Sequence, residues 1–117
     1  MAKETKKPTR YFSSRQEKRV GKTLGCKLQP NSGATAFAKG DLIDDYTLFE
    51  CKTVTKPQKQ VTITKEWLTK LQEESISMGK LLSALVFDFG DGQDFVILSK
   101  QDFKNLYEGW KEINNYD

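Results

Sequence analysis

The chain has 117 residues, of which 37% are hydrophobic and 30% charged, and it contains two cysteines and no histidine. A chain of this length and composition is expected to form one soluble domain with a single modest core. The absence of histidine excludes Ser-His-Asp and Cys-His catalysis within one chain, and it leaves a tetrahedral zinc site without most of its usual ligands. Any catalysis must therefore use carboxylate, lysine, serine or tyrosine side chains.

The sequence carries no membrane or secretion signal. No apolar run approaches the roughly 20 residues that a membrane-spanning helix needs. The N-terminus, MAKETKKP, has no apolar segment after its charges, unlike a secretory signal peptide. We therefore expect no membrane association and a cytoplasmic location, which would be the host cytoplasm if a phage encodes the protein.

The net charge of +3 is unevenly distributed. Residues 1–27 hold nine Lys or Arg and two Glu, so this segment carries +7 and leaves −4 for the rest of the chain. Such clustering favours a polyanionic partner, and DNA is a natural candidate because clustered cations release its counterions. A solvated tail that only aids solubility explains the charge equally well. The candidate DNA-binding residues are Lys6, Lys7, Arg10, Arg15, Lys18, Arg19, Lys22, Lys56 and Lys59.

The first predicted element is a helix preceded by a basic arm. Residues 1–12 are basic and polar, which predicts a flexible arm ahead of a single domain at 13–117. Ser14 predicts the N-cap of the helix, because Glu17 then occupies the third helical position of a capping box. Glu17 shares its predicted face with Val20, and a carboxylate on an apolar face needs a partner.

Residues 25–40 combine turn formers with small side chains, which predicts a loop. Within it, the segment PNSG at 30–33 is a turn signal. Ser32 in this segment is a candidate phosphate contact, although such a sequence is more often simply a turn.

The stretch GDLIDDYTLFECK at 40–52 predicts two short strands joined by a tight turn at Asp44 and Asp45. Because side chains alternate along a strand, Asp41, Glu50 and Lys52 then share one face, with Glu50 diagonal to Asp41. A turn of four residues preserves this parity, whereas a turn of odd length breaks it.

The second half of the chain predicts a helix over about 65–78, a nearly continuous apolar strand over 81–89, a further strand over 94–98 and a final helix capped by Ser99. The tryptophans of both helices are interpreted as core residues. The order of elements predicts an α/β (α+β) fold with one mixed sheet of about four to five strands flanked by helices.

The shared face of the hairpin could bind a divalent metal ion. Mg²⁺ or Mn²⁺ prefers oxygen ligands, and one or two carboxylates with a substrate phosphate suffice. Asp41 and Glu50 could supply them, and Lys52 could orient or deprotonate a water and offset developing negative charge. Glu17 could hold a metal-bound water or a second ion. The alternatives are an exposed Glu50–Lys52 ion pair and a Glu17 that only caps its helix.

These motifs together resemble the PD-(D/E)xK nuclease superfamily. The resemblance rests on the helix with Glu17, on NSGA at 31–34, on GDL at 40–42 and on ECK at 50–52. Over about residues 13–98 the chain is similar to the small Holliday-junction resolvases of archaea and phages. The resemblance implies a restriction-endonuclease-like fold in which three carboxylates bind divalent metal, a lysine assists the attacking water and a loop serine contributes to the site. The matching positions are Glu17, Asp41, Glu50, Lys52 and Ser32.

The resemblance also implies a Mg²⁺-dependent homodimer that nicks branched DNA symmetrically at two active sites. Gly40 stands where the family usually has a proline before the aspartate. That proline is not a ligand, so the expected chemistry is unaffected. Two alternatives remain, a nicking or repair nuclease with another substrate and a catalytically inactive DNA-binding module. The complete set of Glu, Asp, Glu and Lys argues against the second.

Overall fold

The computed structural model of the chain describes residues 9–29 and 41–116. The elements in chain order are α1 (Thr9–Leu24), β1 (Lys27–Leu28), β2 (Leu42–Ile43), β3 (Thr47–Lys52), α2 (Lys65–Ser77), β4 (Leu82–Phe87), β5 (Phe95–Ile97) and α3 (Lys100–Ile113). Within these two ranges, no helix is both long and apolar enough to cross a membrane.

The described strands form one mixed sheet in the order β1-β2-β3-β4-β5. β3 and β4 pair in parallel, and every other neighbouring pair is antiparallel. α2 is the crossover that a parallel pair requires. β4 has a neighbour on both sides, as its continuous apolar run predicted. The predicted mixed sheet of about four to five strands flanked by helices is confirmed.

The core lies on both faces of the sheet. Because side chains alternate along β3, Phe49 faces α1 and Leu48 faces α2. One cluster of buried residues comprises Val20, Cys26, Leu42, Phe49, Ala84 and Val86. The other comprises Leu48, Leu71 and Leu85, with half-buried side chains such as Trp67 packed against it. The sheet is therefore covered by one helix on each face.

The first helix begins earlier than predicted. α1 starts at Thr9, so Ser14 lies inside it and the predicted capping box is wrong, as is the end of the predicted arm at residue 12. Contacts one helical turn apart stabilise this start: Arg15 Nη1 donates to Tyr11 Oη at 3.2 Å, and its guanidinium lies 5.5 Å from the Tyr11 ring centre.

The hairpin turn lies one residue later than predicted. Leu42 pairs with Phe49 and Ile43 with Leu48, so the turn spans residues 44–47. Asp44 stabilises it, because its carboxylate accepts 2.8 Å hydrogen bonds from the backbone N–H groups of residues 46 and 47. The loop length stays even, so the predicted parity is preserved.

The final helix begins after its predicted Ser99 cap but is not a core element. No side chain of α3 is buried, and Trp110 is 51% exposed, so its interpretation as a core residue is wrong. Phe103, Tyr107 and Trp110 stack along one face with ring centres 5.4 and 6.2 Å apart. The helix follows the edge strand β5, whose Val96 is itself 48% exposed, so the described part of the chain leaves this face uncovered.

Candidate active site

Glu50 and Lys52 project from β3 toward α2. The ammonium nitrogen of Lys52 lies 3.6 Å from Glu50 Oε1 and 4.5 Å from the centre of the Trp67 ring. Trp67 is held in the first turn of α2, where its backbone N–H donates to Thr64 Oγ1 at 3.2 Å. The lysine is thus fixed between a carboxylate and an aromatic face. Sequence reasoning interpreted Trp67 as core alone and missed this second contact.

Asp41 is fixed beside the same pair of residues. It immediately precedes β2, and its backbone N–H donates to the Phe49 carbonyl at 2.9 Å. Its Oδ2 accepts a 2.7 Å hydrogen bond from the backbone N–H of Cys51, the residue between Glu50 and Lys52. Leu42 pairs with Phe49, so continuing this register by one residue sets Asp41 beside Glu50, where the sequence predicted a diagonal position. The expected grouping of Asp41, Glu50 and Lys52 is present.

Burial and then the negative charge of Asp41 raise the pKa of both glutamates of this site. Burial, and then the negative charge of Asp41, raise the pKa of Glu50 to about 7 against the opposing charge of Lys52. Burial raises the pKa of Asp41, while the Cys51 N–H and Lys52 lower it. Burial and then Asp41 also raise the pKa of Glu17. Asp41 is therefore electrostatically coupled to both glutamates, and a cation among them would relieve the repulsion.

Glu17 and Asp41 line one cleft of about 480 Å³ between α1 and β1. Arg10 and Lys18 line the same cleft, and both are exposed. Arg10 also partly offsets the raised pKa of Glu17. The cleft therefore combines carboxylates that could hold a metal with cations that could contact phosphate.

Gln16 ties α1 to the end of β3. It is 1% exposed, and its side-chain amide donates to the Lys52 carbonyl at 2.8 Å and to Asp94 Oδ1 at 3.3 Å. This contact fixes the register of α1 against the sheet and so sets the position of Glu17, the next residue. Sequence reasoning missed Gln16, although it lies four residues before the buried Val20 and so on the same helix face.

Arg19 reinforces this attachment. Its guanidinium binds Asp94 in a bidentate fashion, at 2.6 and 2.8 Å, and contacts Asp88 at 3.2 Å. Thr53 Oγ1 donates to the other oxygen of Asp88 at 2.6 Å. Arg19 was a candidate DNA contact, but its guanidinium is engaged by Asp94 and Asp88, which leaves it little capacity to bind a phosphate.

The remaining candidates fall into three groups. Ser32, Lys6 and Lys7 lie outside the described residues. Arg15, Lys22, Lys56 and Lys59 are exposed on the surface. Cys51 packs against the core, as its strand parity predicted, and burial raises the pKa of its thiol, which disfavours the thiolate that a nucleophile requires.

The donor set fits a hard divalent cation. No group of three or more close-set acidic or cysteine ligands occurs among residues 9–29 and 41–116. Mg²⁺, however, commonly uses one or two carboxylates and completes its octahedral shell with water and substrate oxygens. Asp41 and Glu50 offer carboxylate oxygens, and burial raises the pKa of each, an effect that a bound cation would oppose as Lys52 does in part.

Comparison of the chain with protein-family models, curated proteins and solved structures gave no match. Function is therefore inferred from the motif resemblance and from the geometry of these residues.

Proposed function

We propose that the protein is a Mg²⁺- or Mn²⁺-dependent endodeoxyribonuclease that hydrolyses phosphodiester bonds in branched DNA, with Holliday junctions as the expected substrate. The observation that carries the proposal is the grouping of Asp41, Glu50 and Lys52. Lys52 Nζ lies 3.6 Å from Glu50, and Asp41 is hydrogen-bonded to the residue between them. Two carboxylates and one ammonium, at the start of β2 and the end of β3, are groups that metal-assisted hydrolysis can use.

Each residue has a distinct role in this proposal. Asp41 and Glu50 would hold the ion, with Glu17 as a third carboxylate across the neighbouring cleft. When bound, the ion polarises the phosphate and favours ionisation of a water. Lys52 orients the attacking water and stabilises the negative charge that develops on the phosphate oxygens. The water oxygen bonds to phosphorus, one ester P–O bond breaks, and the products carry a phosphate monoester and a free hydroxyl.

The DNA backbone would approach from the α1 side. Arg10 and Lys18 line the cleft that contains Glu17 and Asp41, so they would contact phosphates next to the one that is cut. Contacts of this kind position the strand without reading its sequence.

We also propose that two copies pair through α3, which supports the expected homodimer. A 14-residue helix is marginally stable in water on its own, yet no side chain of α3 is buried. Its apolar face continues beyond the helix, because the Tyr116 ring stacks 5.3 Å from that of Trp110. A contiguous exposed apolar surface of this kind marks a protein interface.

The charges of α3 favour a second copy over DNA as the occupant. The helix carries three Lys and three acidic residues, so it offers no net charge to phosphates. In a symmetric dimer the same surface of each copy meets that of the other, so lysines of one α3 can pair with acidic residues of the other. The charged residues are Lys100, Lys104, Lys111, Asp102, Glu108 and Glu112.

The test is incubation of the purified chain with a four-way junction, a linear duplex and single-stranded DNA, in Mg²⁺ or in EDTA. Paired nicks confined to the junction support the proposal in full. Mg²⁺-dependent cleavage of every substrate supports the nuclease chemistry but contradicts a preference for branched DNA. DNA binding without any Mg²⁺-dependent cleavage contradicts it and favours a binding module.

A further inference from the structure

A second cleft, of about 620 Å³, has Lys52 in its lining; we call it the Lys52 cleft. It lies beyond the ends of the parallel strands, because Lys52 and Phe87 are the last residues paired between β3 and β4. The space outside the carboxyl ends of parallel strands is where open α/β sheets bind ligands. The volume is within the range of small-molecule sites.

The cleft is preformed. One wall is the loop after β3, which is fastened to the end of the sheet by a 2.8 Å hydrogen bond from the Gln58 N–H to the Phe89 carbonyl. This loop packs so closely on the β4–β5 turn that a Cβ at Gly90 would lie 2.6 Å from the Lys56 carbonyl oxygen, and Gly90 has a φ of +85°. The lining also includes Phe87, whose ring stacks at 5.7 Å on that of Phe95.

The lining favours a flat, uncharged heterocycle. Trp67, Phe87 and Ile63 supply aromatic and aliphatic surface, and the carboxamides of Gln58 and Gln60 lie on the same lining. A carboxamide both donates and accepts hydrogen bonds, as does the edge of a nucleobase.

The charged groups of the lining are few. Asp88 is 4% exposed and bound to Arg19 and Thr53, so its charge is directed into the protein. Lys52 is the cation of the lining, and it belongs to the candidate active site. The Lys52 cleft therefore suits a base better than a phosphate.

We propose that the Lys52 cleft binds one unpaired nucleobase of the cut strand, from a nucleotide next to the phosphate that is hydrolysed. The inference rests on the proposed function, because it uses Lys52 as the group that contacts that phosphate. A base inside a duplex must be unpaired and unstacked to enter, which costs least where pairing is already interrupted. Capture of a base would thus favour cleavage at branch points without reading the sequence.

The test is a double-mutant cycle between the protein and the DNA. A four-way junction carries a tetrahydrofuran abasic residue at each position, in turn, within two nucleotides of the mapped cut. These junctions are cut under single-turnover conditions by wild type and by the exposed-residue variant Gln58→Ala/Gln60→Ala. Thr62→Trp, which places a bulky ring at the exposed rim of the cleft, is the second variant, and Thr55→Trp, outside the lining, is its control.

At one position we expect the abasic residue to slow wild-type cleavage about 5- to 10-fold, as loss of one stacked base implies. Each cleft variant should slow cleavage of the intact junction by a similar factor and should lose nothing further on the abasic junction. Thr55→Trp should behave as wild type. Additive losses, or no abasic effect at any position in a protein that cuts junctions, would overturn the cleft assignment and leave the nuclease proposal standing.

The same cycle is measured as equilibrium dissociation constants in EDTA, with the abasic residue placed in turn at each position within two nucleotides of the branch point, and tests the cleft without catalysis. If the protein cuts no DNA, the nuclease proposal fails, and the EDTA cycle still decides whether a base occupies the cleft. If the abasic residue weakens binding by wild type but not by the cleft variants, the result supports a base in the cleft. If the losses from the variant and from the abasic residue add, the result contradicts it.

Discussion

The ammonium of Lys52 lies 4.5 Å from the centre of the Trp67 ring, so a residue of α2 helps to position the lysine of the candidate active site. The same ammonium is 3.6 Å from Glu50. A lysine that is 35% exposed would otherwise sample many rotamers, and these two contacts restrict it to the face that Asp41 shares.

Replacing Trp67 should therefore lower kcat more than it raises KM. A cation–π contact contributes about 0.5–2 kcal/mol, so we expect Trp67→Leu to lower kcat by about 10-fold, and Trp67→Phe, which keeps an aromatic face, to retain most of it. Single-turnover cleavage and DNA affinity measured on both variants separate the two parameters, with circular dichroism as the check of folding. Equal kcat values for Trp67→Leu and wild type would show that the ring does not position Lys52.

Neutralising either central carboxylate should abolish cleavage and spare binding. Asp41→Ala and Glu50→Gln each remove a proposed ligand, so we expect a loss of at least about 1,000-fold in rate, while affinity for the junction stays the same or increases slightly because negative charge has been removed. Glu73→Gln, an exposed glutamate of α2, is the matched control and should keep full activity. Full activity of Asp41→Ala would refute the site assignment.

Without divalent metal, the protein should be less stable at about pH 8 than at about pH 5. The pKa of Glu50 is raised from an ordinary 4.5 to about 7, so between these values the folded state keeps a proton that the unfolded chain has released. The contribution is complete below the lower value and is lost as pH rises through the higher one, a change of up to about 3 kcal/mol. Thermal unfolding in EDTA measures it.

The matched variant for this pH effect is Glu50→Gln. It removes the ionisation, so its melting temperature should exceed that of wild type at about pH 8 and depend less on pH. Added Mg²⁺ should stabilise wild type at the higher pH, because a bound ion relieves the repulsion between Asp41 and Glu50, and should stabilise Glu50→Gln much less. An unchanged pH profile in Glu50→Gln would contradict the assignment of this titration.

Charge on the apolar face of α3 should prevent the proposed pairing of two copies. Trp110→Glu places a carboxylate in the middle of the aromatic stack and should shift the protein to monomer in sedimentation-velocity experiments. Asn105→Glu adds the same charge to an exposed position outside the stack and should leave the dimer intact. Monomeric wild-type protein at all accessible concentrations would contradict pairing through α3.

Arg10 and Lys18, which line the cleft that contains Glu17 and Asp41, should account for part of the salt dependence of DNA binding. Arg10→Gln/Lys18→Gln should weaken binding to all DNA substrates and reduce the slope of log K against log salt by up to about 2, the value for two lost phosphate contacts. Lys65→Gln, an exposed lysine at the start of α2, should leave the slope unchanged. An unchanged slope in the double variant would show that neither residue contacts a DNA phosphate.

Local pattern predicted which side chains of the hairpin share a face better than it predicted the position of the turn. The shared face of Asp41, Glu50 and Lys52 required only strands and an even loop, which many turns satisfy. The position of the turn depended on the Asp44 carboxylate, whose capping of the next N–H groups competes with a tighter turn.

Tertiary contacts account for what the sequence did not predict. The bond from Gln16 to the Lys52 carbonyl and the contact of Trp67 with Lys52 join elements that are distant in sequence, and neither leaves a local pattern. The amphipathic spacing of α3 predicted an apolar face, but spacing does not say whether the same chain covers it. The role of Ser32 stays a prediction, because Ser32 lies outside the described residues.

The most direct test of the account is the rate at which wild type and Glu50→Gln cut a four-way junction in Mg²⁺, measured with enough protein to saturate the DNA. We expect paired nicks by wild type, none in EDTA, and binding without cutting by Glu50→Gln. Saturated binding by wild type with no cleavage in Mg²⁺ or Mn²⁺, or equal cleavage by Glu50→Gln, would contradict it.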